Sequence, residues 1–415
     1  MKSESKQLGS ICTIKQGKYL SPDEMSEKPI EGMMVPVIGG NGILGYTSRS
    51  SHSRDVPLIT CRGSKCGLIQ WAKAPVWVSN NAIACDSGGV IGNEYLRYLF
   101  SQAKFDDVIT GSAQPQITIS HLSNKYFPIV PPGEQKLVVD FLRDFDDQIT
   151  LLRETNATLE AIAQAIFKSW FIDFDPVRAK MEGRQPEGMN AETAAIFPDS
   201  FEDSELGAIP KGWRVGCYGD IATLAKGTIN PQKYSDQEFY HFSLPAFDDG
   251  QLPVRERGEM IKSNKTAFYP GAVLQSKLNP HIPRIWFASD VSKNAICSTE
   301  FLPWKATDIA CNELIYCLLR STEFSTNVQS LVNGTSNSHQ RIKPDLISEL
   351  AVIISSGSVV RAFEAMTSPL LSMVKANIEE AVTLAEIRDT LLPRLISGKI
   401  RLNEDVEEAE KLKAA

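Results

Sequence analysis

The stretch VVDFLRDFDDQITLLRETNATLEAIAQAIFKSW, residues 138–170, decides the architecture. Steps of four and three through it pick out Val138, Leu142, Phe145, Ile149, Leu152, Asn156, Leu159, Ala163, Ile166 and Trp170, and nine of these ten are apolar. The residues between them are largely charged or polar. An apolar seam with period 3.5 is the pattern of a helix that packs lengthwise on a partner helix. At about 1.5 Å per residue this helix is roughly 50 Å long. Its one polar rung, Asn156, costs stability in an apolar seam and is suited to fixing register.

A second ladder stands 225 residues downstream: Phe363, Thr367, Leu370, Val374, Asn377, Ala381, Leu384, Arg388, Leu391 and Leu395. It is weaker, with Thr367 and Arg388 on the seam, and Pro369 and Pro393 are expected near a start or a kink. Antiparallel packing about the two centres pairs residues whose numbers add to 533. Val138 then faces Leu395, and Asn156 faces Asn377. Two asparagine side chains can satisfy each other there, pinning register and direction together.

Outside the ladders lie two mixed blocks. In residues 1–132 short β-type runs recur at Met34–Ile38, Pro57–Thr60, Val76–Val78 and Tyr126–Val130, with a helix expected around Asn93–Lys104. Residues 212–354 repeat the frame. Ile11-Cys12-Thr13-Ile14-Lys15-Gln16-Gly17 aligns with Ile221-Ala222-Thr223-Leu224-Ala225-Lys226-Gly227. Residues 77–83 sit loosely in the place of 292–296, and Phe127–Val130 aligns with Ala351–Ile354. The middles do not match. A duplicated frame with divergent loops suggests two readers of different targets. The expected fold is α+β: two similar domains with small mixed or antiparallel sheets, separated by two long helices in an antiparallel coiled coil. The expected segments are a first domain (1–132), a first spacer helix (133–172), an acidic Pro-containing linker (173–211), a second domain (212–354), a second helix (355–400) and a charged tail (401–415).

Composition narrows the function. The 415 residues are 42% hydrophobic and 22% charged, with a net charge of −7. No apolar run approaches the roughly 18 residues of a membrane span, and no signal-peptide core opens the chain. The eight cysteines are scattered, which reads as reduced thiols in a cytoplasmic protein. Cys61 and Cys66 form one C-x4-C without a second pair, which argues for buried or idle thiols rather than zinc. The acid is local: residues 186–209 carry −6, whereas residues 1–130 carry +3 and 210–354 carry +1. Both blocks are thus neutral to slightly basic.

Phosphate-cradling glycine motifs are absent from the sequence. The five histidines have no helical metal spacing. Asn279-Pro280-His281-Ile282 is faintly similar to the N-P-P-[FY] motif of amino-methyltransferases, but it lacks the second proline and the aromatic residue. No glycine-rich loop accompanies it, so no methyltransferase site is expected. What remains are loop residues suited to nucleic acid. Arg62 and Lys65 stand among small residues after a β run, where they can approach a phosphate or a guanine edge. Gln114, Gln116, Asn337 and Gln340 have side chains that pair bidentately with adenine. Lys277, Asn279, His281 and Arg284 form a similar set in the second block, His339 neighbours Gln340, and Arg49 and Arg54 flank a Ser-rich loop. Each residue alone fits a solvated turn; the reading rests on the set, present twice.

Four stretches carry a family resemblance. Ile166-Phe167-Lys168-Ser169-Trp170-Phe171-Ile172-Asp173-Phe174-Asp175-Pro176-Val177-Arg178-Ala179-Lys180 is followed by Phe197-Pro198-Asp199-Ser200-Phe201 and by Gly207-Ala208-Ile209-Pro210-Lys211-Gly212-Trp213. Leu122 with Phe127-Pro128-Ile129-Val130-Pro131-Pro132-Gly133-Glu134-Gln135 leads into the first long helix. Together they resemble the specificity subunit of type I restriction–modification enzymes, over essentially the whole chain. The second copy departs from the pattern, with Ser355-Ser356-Gly357-Ser358 in place of Pro-Pro-x-Glu-Gln. The resemblance implies a non-catalytic subunit. Each block would be a target-recognition domain for one half of a split site on double-stranded DNA, and the coil would space the halves. Two modification subunits would bring S-adenosylmethionine, and restriction subunits would bring ATP and Mg. The rival readings are a stand-alone nuclease or methyltransferase, and a coiled-coil adaptor that binds no DNA.

Overall fold

The computed structural model describes residues 3–111, 114–288, 294–332 and 340–402. Two compact units divide the chain, Met1–Ile149 with Thr383–Ala415 and Thr150–Val382. Both cuts fall inside the long helices, so each unit holds one mixed block and part of each helix. The charged tail beyond residue 402 lies outside the described residues.

In the first unit a four-stranded antiparallel sheet runs in the order Thr13–Gln16, Ala82–Asp86, Val56–Thr60, Ile69–Ala72. All five residues of Val56–Thr60 are buried, as an unbroken β-branched and apolar run requires. The helix Val90–Ser101 packs Tyr95, Leu96, Leu99 and Phe100 into the core on one side. A three-stranded sheet joins Gly42–Thr47, Val35–Gly39 and Trp77–Val78, the last two parallel. Glu4–Gln7 pairs with Tyr126–Ile129 and closes the block.

The second unit repeats this frame strand for strand. Its four-stranded sheet follows the same order, Ala222–Leu224, Phe301–Ala306, Ala272–Ser276, Ile285–Ala288, and Arg214–Cys217 closes on Ala351–Ile354. Trp77–Val78 and Ala295–Cys297 also correspond: each pairs parallel to a strand of its unit's other sheet. The middles diverge physically as well as in sequence, because that other sheet has three strands in the first unit and five in the second.

The first long helix spans Pro132–Phe167 and runs into a π-type turn, Lys168–Ile172; the second spans Gly357–Ile396. In the first unit Val138, Leu142, Leu392 and Leu395 share one buried cluster. In the second unit Trp170 meets Phe363 at 6.1 Å between ring centroids. The two asparagines meet: Asn377 Nδ2 donates to Asn156 Oδ1 at 2.8 Å, and Asn156 Nδ2 donates to the Val374 carbonyl at 3.2 Å. These pairs belong to one antiparallel register. Asn156→Leu should cost about 1–2 kcal/mol, because it strands a half-buried amide. Adding Asn377→Leu should recover most of that loss. Denaturant unfolding of the two single variants and the double variant checks this; additive losses would show the amides to be uncoupled.

Two expectations need correction. Pro369 and Pro393 do not start the second helix, since both lie inside it. A proline removes one intrahelical hydrogen bond, and the buried residues on either side, Phe363, Leu371, Leu392 and Leu395, hold the segment against the core. Thr367 on this seam is fully buried, and its hydroxyl donates to the Phe363 carbonyl at 2.8 Å. The segment 173–211 is not a linker. It folds into short helices at Asp175–Met181 and Ala191–Ala195 and a hairpin of Phe201–Ser204 with Gly207–Pro210. Phe174, Val177, Phe197 and Ile209 are buried in the second unit's main core with Trp170 and Trp213. The acidic residues that dominate its composition lie between these widely spaced apolar anchors.

Candidate nucleic-acid interface

The candidate loops of the first unit leave the sheet where Val56–Thr60 ends and Ala82–Asp86 begins. Backbone bonds lace them. Cys61 N donates to the Asn81 carbonyl (2.9 Å), Ile117 N donates to the Cys61 carbonyl (3.0 Å), and Gly63 N donates to the Pro115 carbonyl (3.2 Å). Arg62 and Gln116 therefore face each other across an antiparallel bridge, which places their side chains on one face. Gly63 has φ +89°, a left-handed conformation natural to glycine. The Gly39–Gly42 turn folds over the loop base, where Thr60 Oγ1 donates to the Gly40 carbonyl at 2.7 Å and Gln70 Nε2 to the Gly39 carbonyl at 2.8 Å. Arg62, Lys65, Gln114 and Gln116 are all exposed. Among the described residues Arg62 and Lys65 form no ion pair. Burial pushes the thiols of Cys61 and Cys66 above the usual range, which favours the neutral form of each.

The second unit builds the same lacing from different residues. Lys277 N donates to the Glu300 carbonyl (2.9 Å), Ile342 N to the Lys277 carbonyl (3.0 Å), and Asn279 N to the Gln340 carbonyl (2.8 Å). Leu278 and Arg341 form the bridge. Asn279 takes the left-handed conformation (φ +53°) that Gly63 takes in the first unit, and asparagine is among the few other residues that adopt it readily. Its Oδ1 is buried without a hydrogen-bond partner among the described residues. His281 is exposed and Lys277 half-buried.

Three candidate cations have partners within the fold. Arg284 grips Asp248 bidentately at 2.7 and 2.9 Å, with its side chain 16% exposed. Arg54 donates to the Gly88 carbonyl at 2.5 Å and approaches Asp86. It sits at the far end of Val56–Thr60 from Arg62. Arg49 pairs with Glu24 at 2.6 Å, holding that carboxyl below the usual range, and stacks over Trp77. The structure thus brings together Arg62, Lys65, Gln114 and Gln116 in one unit, and Lys277, Asn279, His281 and Gln340 in the other. Arg49 and Arg54 stand apart from the first set. Asn337 and His339 lie outside the described residues. Glu300 and Arg341, absent from the candidate residues, belong to the second set. The 225-residue offset that aligns the two helices also carries Gln116-Ile117 onto Arg341-Ile342.

Comparison with known proteins fits this geometry. Residues 2–161 match the type I restriction modification DNA specificity domain. The MjaIX specificity subunit of Methanocaldococcus jannaschii, a type I restriction enzyme component, is 28% identical over 84% of this chain and 78% of its own length. The chain is thus similar to type I restriction enzyme specificity subunits over most of its length, and its first 161 residues carry the match to the specificity domain. The HindI specificity subunit of Haemophilus influenzae is 27% identical over 69% of this chain and 71% of its own. The S subunit of a type I restriction–modification system from M. genitalium shares the fold, with a TM-score of 0.60, 14% identity, and 95% and 96% of the two chains covered. The family match covers the first block and most of the first helix, and the shared strand order and loop lacing tie the second block to them. Among the described residues no helix is long and apolar enough to cross a membrane.

Proposed function

We propose that each unit of this specificity subunit reads one half of a split double-stranded DNA target through the laced loops, and that the continuous helices set the spacing of the halves. The subunit does no chemistry. Two modification subunits bring S-adenosylmethionine and methylate adenine; restriction subunits bring ATP and Mg; the complex works in the cytoplasm. One observation carries the reading. An identical three-bond backbone lacing holds two loops in each unit, yet the side chains it presents differ: Arg62 and Gln116 in one, Leu278 and Arg341 in the other. A common scaffold with exchanged polar ends suits a pair of readers for two different base sequences. Phosphate contacts from the exposed cations position the duplex, and the modification subunit takes its adenine out of the stack.

Exchange of residues 1–132 for the first domain of another specificity subunit tests this. With the modification subunits present, mapping of methylated adenines should show one half-site replaced and the other retained. An unchanged methylated sequence would overturn the reading.

A further inference from the structure

We propose that Arg341 reads a guanine in the second half-site and that Glu300 positions its guanidinium for that contact. The inference rests on the function proposed above and names the base recognised by one part of the site. Arg341 stands on the bridge position that Gln116 occupies in the first unit, opposite Leu278 where Arg62 stands. The cation has moved to the other strand of the bridge, and an apolar side chain takes its old place.

The guanidinium is set with its fork engaged. Arg341 Nε lies 3.0 Å from Glu300 Oε2 and Nη2 lies 3.2 Å from Oε1. That pairing takes up the Nε–Nη2 edge and leaves the Nη1–Nη2 edge, again two parallel N–H donors, which is an arrangement in which arginine meets O6 and N7 of guanine. The Arg341 side chain is 52% exposed and that of Glu300 only 24%, so the carboxylate is the fixed member and the arginine the accessible one. Glu300 is itself anchored, because its carbonyl accepts from Lys277 N and its own N–H is held by Ser298 Oγ at 3.3 Å. Ion pairs this exposed contribute little to folding. A carboxylate beside the fork also disfavours phosphate, and it is the group that accepts from the N4 amine of cytosine. The pair as a whole complements one G·C base pair.

The test uses the full chain assembled with its modification subunits in cells without other adenine methylation, with the methylated sequence read out genome-wide. Arg341→Gln should relax one guanine position in the second half-site, lowering the preference there about 10- to 100-fold, and leave the first half-site untouched. Arg341→Lys should not restore the preference, since an ammonium lacks the fork. Glu300→Gln should blur the same position without moving any other. An unchanged methylated sequence in Arg341→Gln, or full restoration by lysine, overturns the proposal and points to a phosphate contact. Should Arg341→Gln abolish methylation, Glu300→Gln decides: a blurred guanine position supports the proposal and an unaltered one overturns it. Exchange of residues 212–354 separates the two levels. If that exchange moves the second half-site while Arg341→Gln changes nothing, only the role of Arg341 fails. If the exchange moves nothing, the domain reading itself fails.

Discussion

Asp146→Ala should destabilise the first unit by about 2–4 kcal/mol, because it removes a carboxylate on which Tyr98, Arg97 and Arg388 converge. Asp146 Oδ2 accepts from Tyr98 OH at 2.8 Å and from Arg97 Nη2 at 3.0 Å; Oδ1 accepts from Arg388 Nη1 at 2.5 Å. Its side chain is 15% exposed and that of Arg388 25%. Arg388 comes from the second long helix, Asp146 from the first, and Tyr98 and Arg97 from the helix Val90–Ser101. One carboxylate thus ties the recognition block to both long helices of its unit. Its loss leaves the Tyr98 phenol without its acceptor and Arg388 with Asp389 as its remaining carboxylate, which costs more than the net worth of the interactions removed. The full upper range for buried pairs is discounted because Arg97 is over a third exposed. Burial, reinforced by the Asp146 carboxylate, pushes the Tyr98 hydroxyl well above its usual range, so the phenol stays a donor at neutral pH. Asp146→Asn keeps acceptor capacity and should cost roughly half as much. Denaturant unfolding of the full chain checks both variants. A loss below about 1 kcal/mol for alanine would show the tie to be an exposed ion pair of ordinary weight.

The second unit uses the same device with other residues. Glu160 of the first long helix accepts from Tyr316 OH at 2.7 Å and from Arg320 Nη2 at 3.0 Å. Tyr316 and Arg320 lie on Asn312–Arg320, which follows the four-stranded sheet's Phe301–Ala306 as Val90–Ser101 follows Ala82–Asp86. In both units a tyrosine and an arginine of the block's own helix grip a carboxylate of the first long helix.

These ties show where sequence reading reaches and where it stops. The long helices, their direction and the Asn156–Asn377 pair were legible because a 3.5-residue seam is a one-dimensional pattern, and two copies at a fixed offset define a register. The duplicated frame was legible for the same reason. Arg388 reads from sequence only as a flaw in the seam, because its partner Asp146 is 242 positions away and off the ladder. Arg341 escaped notice because a single bridge has no periodicity. Arg284 stood out as a cation near a loop, whereas its bidentate partner Asp248 is 36 residues upstream on another element. The fold of residues 173–211 was hidden because an average over composition weighs nine acidic side chains above six buried hydrophobic ones spread along the segment. Patterns local in sequence were readable; pairings that only the tertiary fold creates were not.

Trp170→Ala should cost the second unit about 3–5 kcal/mol, the upper range for truncating a buried aromatic residue. Trp170 is 4% exposed. It packs edge-on against Phe197 at 5.0 Å and against Phe363 at 6.1 Å between centroids, and Phe171 beside it meets Phe363 at 5.2 Å and Trp213 at 5.9 Å. This one side chain touches the second long helix and the folded segment before the second block, and it stands on the π-type turn that ends the first long helix. Aromatic edge-to-face pairs add about 0.5–1.5 kcal/mol each to the area they bury. Truncation would remove both contacts and leave a cavity that a turn fixed by Phe167, Phe171 and Phe174 cannot close. Trp170→Phe retains one ring and should lose about 1–2 kcal/mol. Near-ultraviolet circular dichroism during denaturant unfolding follows these aromatic rings directly. If alanine costs less than about 1 kcal/mol, the segment 173–211 is no part of the core and behaves as the linker its composition suggests. If the cost is as expected, the aromatic knot anchors the second block to the long helices of its own unit, and under the proposed function its loss should remove recognition of the second half-site before the first.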